Sequence, residues 1–208
     1  MIAQGDATMN IIRQWAIMSI ITGLGAVISY TLMIVLQGPY LALVILASAF
    51  GPLLAAASLG LYHVLAESGN PVVLQLAVLF NVLGAAIFTT MLLVQLAIGH
   101  QIQSIGEDAI NLTTLRTSLI GVQLGMDVAW DIFISLGTLL FAISMIGEAR
   151  FGWILGIVGI LIAVALLILN LWTFPTPPAA KNLVDLGPLV GLWYLAVTIM
   201  MIRWLMKS

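Results

Sequence analysis

The chain has 208 residues, 62% of them hydrophobic and 7% charged, where a soluble domain carries about a quarter charged residues. That composition excludes a soluble globular protein, and a net charge of −2 with no basic patch excludes nucleic acid as a partner. The absence of cysteine removes disulfides, thiolate metal sites and cysteine nucleophiles together.

Apolar runs long enough to cross a bilayer recur along the whole length. The expected fold is all-α, an integral membrane bundle of six transmembrane helices, with residues 1–208 as one domain. The start, Met1 to Asp6, lacks the basic region and cleavage site of a signal peptide, so the first helix is read as retained. The first span covers about 11–36 and closes on the tight turn Gln37-Gly38-Pro39. The second covers 40–66; Gly51-Pro52 lies inside it, where proline removes a backbone donor and kinks the helix. Asn70-Pro71 supplies an N-cap and a first-turn proline for the third span, 71–99. Ser104-Ile-Gly-Glu107 fits a capping box, and an amphipathic lead-in containing Arg116 runs into the fourth span, 119–146. The fifth is 151–174. The connection from Pro175 to Gly187 is not helical throughout, and Pro188 opens the sixth span, 188–207.

Arg13, Arg150, Arg203 and Lys207 fall on the side of the termini, and Arg116 and Lys181 fall opposite. This excess predicts both termini in the cytoplasm of a multi-pass protein of the cell membrane. Trp15, Trp153 and Trp204 are expected at one interface and Trp172 and Trp193 at the other, as aromatic belts require. Stripes of small residues predict close helix packing. They are Gly152, Gly156, Gly159 and Ala163 on the fifth helix, Gly121, Gly125 and Ala129 on the fourth, and Ser19, Thr22, Ala26 and Ser29 on the first.

Asp127 and Asp131 stand four residues apart inside the fourth span, on one helix face that continues through Gln123, Ser135 and Thr138. Two carboxylates about 6 Å apart at an effective dielectric near 20 repel by about 3 kcal/mol. No Lys, Arg or His lies within the spans at that depth. The pair is therefore expected to hold a proton, a cation or a cationic ligand, since intramembrane acids mark functional sites by default. Tyr30 and Asn170 reach comparable depth and complete the expected ligand- or ion-binding set. The alternative is bundle glue, with Asp127 at the water interface and Asp131 protonated or bonded to Asn170 or Tyr30. His63 and His100 are placed a membrane thickness apart and share no metal.

Enzyme signatures are weak. The Asp-x3-Asp spacing is similar to that of diphosphate-binding membrane transferases. Those of the prenyltransferase type need a second acidic motif and more helices. The CDP-alcohol phosphotransferase type needs an Asp-Gly-x-x-Ala-Arg element that Asn111 to Thr117 does not supply. Serine hydrolase and zinc-protease motifs are absent. No catalytic residue, cofactor or metal is predicted.

The segment Leu169-Asn-Leu-Trp-Thr-Phe-Pro-Thr-Pro-Pro178, then Asp185-Leu-Gly-Pro-Leu-Val-Gly-Leu-Trp193, in a chain of six short-looped spans, resembles the small six-helix bacterial integral membrane families of unknown function. The resemblance covers the second half of the chain best; it implies a bacterial cytoplasmic-membrane protein and carries over no catalytic residue.

The functional expectation is a small solute-, cation- or proton-binding bundle of transport or sensing type. A non-catalytic accessory subunit of a larger membrane complex is the alternative, and a lipid-modifying enzyme the third. The partners expected are membrane lipid, a small cation or polar ligand, and a membrane-protein partner or a second copy of the chain. An accessory subunit would turn its aspartates towards a partner; a binding protein would enclose them in its own cup.

Overall fold

The computed structural model describes residues 2–36, 38–67, 69–105 and 112–207, with residues 2–8, 102–105, 112–116 and 179–180 described in backbone only. Six α-helices follow one another: α1 Ile2–Val35, α2 Tyr40–Leu65, α3 Pro71–Ile105, α4 Leu112–Met145, α5 Trp153–Thr173 and α6 Gly187–Leu205. Each contains a stretch long and apolar enough to cross a membrane, so the chain is a multi-pass membrane protein. Such segments are helical because lipid offers no partner for a backbone N–H or C=O. Helices α3 and α4 run beyond the expected spans at their shared end, and the expected capping box at Ser104–Glu107 falls outside the described residues.

Local chemistry sets the boundaries. The Asn70 side chain accepts from the N–H groups of Val72 and Val73 at 3.0 and 3.5 Å, capping α3 ahead of Pro71. Between α5 and α6 only a 3-10 turn, Pro178–Lys181, is helical. Pro52 lies inside α2 and its neighbour Gly51 is buried against α3. A Cβ at position 51 would meet the Ala85 carbonyl oxygen at 2.5 Å, so the two backbones touch there only because the residue is glycine.

Consecutive helices pack against each other and α6 returns to α1, closing a ring in which α6 fits most loosely. The α1–α2 hairpin is tied by two hydroxyls. Ser19 donates to the Ala57 carbonyl at 2.7 Å and Ser29 to that of Leu46 at 2.5 Å. The largest apolar core, built around Phe141, Leu61, Leu65, Leu74 and Met145, fills the half of the bundle nearest the chain termini.

On α5 three of the four small residues pack as expected; Gly152 instead precedes the helix, with positive φ and no atom near enough to meet a Cβ. A Cβ at Gly156 would lie 2.8 Å from the Ala142 carbonyl oxygen, one at Gly159 would lie 2.6 Å from the Trp193 ring, and Ala163 is buried. On α4 the expectation fails: Gly121 and Gly125 are exposed, with no atom near enough to meet a Cβ. The cause is helical phase. At about 100° per residue, Gly125 is about 180° around the helix from Ile134, which is fully buried. The face carrying Ile134 and Asp131 looks inward, so the glycine face looks out.

Trp193 is also corrected. It belongs to no interfacial belt but is buried, and its indole N–H donates to the Leu155 carbonyl of α5 at 2.9 Å. Trp153 and Trp172 are exposed, at opposite ends of α5. At the terminal side, Arg150 joins three segments. Its guanidinium is 2.8 Å from Glu148, 2.8 Å from Glu67 after α2, and 5.2 Å from the centre of the Trp204 ring on α6.

Candidate functional site

A cavity of about 500 Å³ lies inside the bundle, lined mainly by α1, α2, α4 and α6, with Phe88 of α3 and Asn170 of α5 and with core residues such as Leu61 and Met201. Asp127, Asp131, Asn170 and Tyr30 all line it, together with Asp185 from the α5–α6 connection. Among the described residues, no Lys, Arg or His lines it.

Asp131 is 6% exposed, and Asp127, one turn nearer the cavity mouth, is half-buried. Among the described residues no group donates a hydrogen bond to either carboxylate. The Asn170 side chain is buried and donates to the Leu166 carbonyl of its own helix at 3.1 Å, not to Asp131. Tyr30 is 37% exposed, at the rim.

Gln123 is half-buried on α4, one turn before Asp127, and does not line the cavity. Ser135 and Thr138, further along α4, do not line it either. The Ser135 hydroxyl is buried with no partner among the described residues, and Thr138 donates to the Tyr194 hydroxyl at 3.2 Å. That hydroxyl also accepts from the Asn81 amide at 2.5 Å, and the same amide donates to Ser58 at 3.0 Å. Residues of α2, α3, α4 and α6 thus meet in one buried polar knot, whose Ser58 and Tyr194 are part of the cavity wall.

The knot fixes the depth of α6. Thr138 lies seven residues after Asp131, and its partner Tyr194 seven residues after Gly187. Both helices run the same way, so α6 begins at about the level of Asp131. The α5–α6 connection therefore descends to the cavity and delivers Asp185, whose carboxylate accepts the Gly187 N–H at 2.9 Å.

Asp185, Tyr194, Asn81 and Ser58 are absent from the sequence-derived site. Asn81 and Tyr194 did carry a signal: each is a lone polar group inside an apolar run, away from either interface. Asp185 carried none, because the connection reads as an ordinary Pro-rich loop. Three other hydroxyls inside the spans, Ser48, Thr89 and Thr90, bond carbonyls of their own helices. Gln95 joins a smaller pocket beside Tyr40 and His100. The two histidines are held apart, His63 stacked on Trp15 at 3.9 Å and His100 on Tyr40 at 4.7 Å. No family model, curated protein or solved structure matches the chain, so the site is read from its own geometry.

Proposed function

We propose that the protein binds a cation or protons at the Asp127–Asp131 pair, as a small bundle of transport or sensing type. The observation that carries this reading is Asp131 itself: nine-tenths buried and, among the described residues, without a hydrogen-bond donor and facing a cavity that no basic side chain lines. A carboxylate taken from water without a partner is costly and is retained where a ligand supplies the missing charge. The carboxylates line the protein's own cavity, which favours a binding protein over an accessory subunit.

Basic residues outnumber those opposite on the terminal side, which supports cytoplasmic termini and a cavity facing outwards. The likeness to small six-helix families supports a bacterial cytoplasmic membrane.

Infrared difference spectra of the purified protein, recorded between acid and neutral pH and again on adding sodium or an ammonium salt, test the reading. A carboxyl band that changes in the wild type and is missing in Asp131→Asn is expected. Identical spectra from the two proteins would overturn it.

A further inference from the structure

Four aromatic rings line the same cavity as the acids: Tyr30 of α1, Phe50 of α2, Phe88 of α3 and Trp130 of α4. They form one cluster. Phe88 is 4.5 Å from Trp130, 4.8 Å from Phe50 and 5.7 Å from Tyr30, centre to centre, and Tyr30 is 5.5 Å from Phe50. Trp130 stands between the two aspartates in sequence, so one turn of α4 delivers both charge and ring. Aromatic faces are electron-rich and attract a weakly hydrated cation, most strongly an ammonium ion carrying carbon substituents.

Much of the remaining lining is apolar, including Val27, Leu54, Ile134 and Val190, and its other polar groups, such as the hydroxyls of Ser19, Ser58 and Thr198, carry no charge apart from Asp185. Such walls repel a small hydrated ion and accept hydrocarbon. A hard divalent ion such as calcium or magnesium needs six or so converging oxygens. Among the described residues no three acid or imidazole groups come together closely enough to hold a metal. A cavity of about 500 Å³ is also far larger than a bare ion needs.

We infer that the cavity takes an organic ammonium ion with apolar substituents, its charge held by Asp127 and Asp131 and its carbon shell by the four rings. This rests on the cation-binding reading above and adds the ligand's chemical class. The unpartnered Asp131 carboxylate is the counter-ion, and the ring cluster selects carbon-shelled cations over hydrated ones.

The test is equilibrium dialysis of the full chain in detergent with benzyltrimethylammonium as the probe. Saturable binding is expected, displaced by choline but not by its neutral carbon analogue 3,3-dimethylbutan-1-ol at equal concentration. Phe50→Leu and Phe88→Leu should each weaken it about tenfold, and Asp131→Asn should abolish it. The choline comparison needs no variant and decides the matter should the leucine proteins misfold. Absent saturable binding, equal displacement by the neutral alcohol, or unchanged affinity in folded leucine variants would overturn the inference. If the Asp131-dependent infrared change on adding sodium or acid survives such a result, only the ligand class falls. If that change is also missing, the cation-binding reading falls with it.

Discussion

Asn81 of α3 donates its side-chain amide to the Tyr194 hydroxyl of α6 at 2.5 Å, and this contact ties α6 to α3 at the wall of the cavity. Helix α6 has few close contacts with its ring neighbours, so a polar tie in apolar surroundings does much to hold it. Asn81 fits because Gly137 of α4 leaves its carbonyl oxygen the space that a Cβ would take.

Removing that hydroxyl should be felt. Tyr194→Phe leaves Thr138 and one Asn81 donor without their shared acceptor, a loss of about 1 kcal/mol. In a chain of this size that lowers Tm by about 2–4 °C. A thermal melt in detergent is the measurement, and an unchanged Tm would show that the knot contributes nothing to stability.

The glycines divide by face. Gly156→Leu must displace the Ala142 backbone and should lower Tm by several degrees, whereas Gly125→Leu points into open space and should leave it unchanged. Comparable losses in both proteins would mean that the outward face of α4 is covered in the membrane.

The contrast also shows what was legible in the sequence. Six helices follow from hydropathy and turn residues alone, because in lipid the backbone has few other ways to satisfy its hydrogen bonds. Facing is harder. Both the acid face and the glycine stripe of α4 are reasonable inward faces, yet they lie on opposite sides of one helix and cannot both be buried. The charged neighbourhood of Asp131 was readable from spacing. Its neighbours Tyr30 and Asn170 were readable only by depth. Asp185 was not, since its approach depends on how deep α6 starts, which the Asn81–Tyr194–Thr138 contacts fix across three helices.

Arg150 anchors the terminal side. Burial works against its charge, but the hydrogen bonds and charges of Glu148 and Glu67 outweigh burial and hold the guanidinium pKa above its ordinary value. A group raised on folding contributes stability that is complete below its unfolded value and lost only above its folded one. The Arg150 contribution is therefore flat across neutral pH. Arg150→Gln should cost on the order of 2 kcal/mol, between the exposed and the fully buried extremes for an ion pair. Melts at pH 7 and pH 9 should show the same decrement. A decrement that shrinks by pH 9 would contradict this account.

Orientation is open to direct measurement, because the chain has no cysteine. Lys207→Cys and Asn182→Cys place single thiols at exposed positions on opposite sides of the bundle. With cytoplasmic termini, a membrane-impermeant maleimide added to intact cells should label Asn182→Cys and spare Lys207→Cys. The reverse pattern would turn the cavity inwards.

The last prediction concerns the sign of a stability change at Asp131. Were its carboxylate structural glue, a neutral side chain would break bonds and destabilise the bundle. Here the carboxylate is 6% exposed and accepts no hydrogen bond among the described residues, so in the empty protein it represents an unrepaid desolvation cost. Asp131→Asn keeps the shape, removes the capacity for charge and should raise the Tm of the ligand-free protein, by the equivalent of about 1–2 kcal/mol. The same substitution should abolish stabilisation by added benzyltrimethylammonium, which in the wild type should raise Tm with concentration, as any ligand of the folded state does. A bundle kept below its stability optimum by one side chain, and stabilised when a cation occupies the cavity, is what a binding site predicts. If Asp131→Asn melts several degrees lower than the wild type without ligand, the residue is holding the helices together.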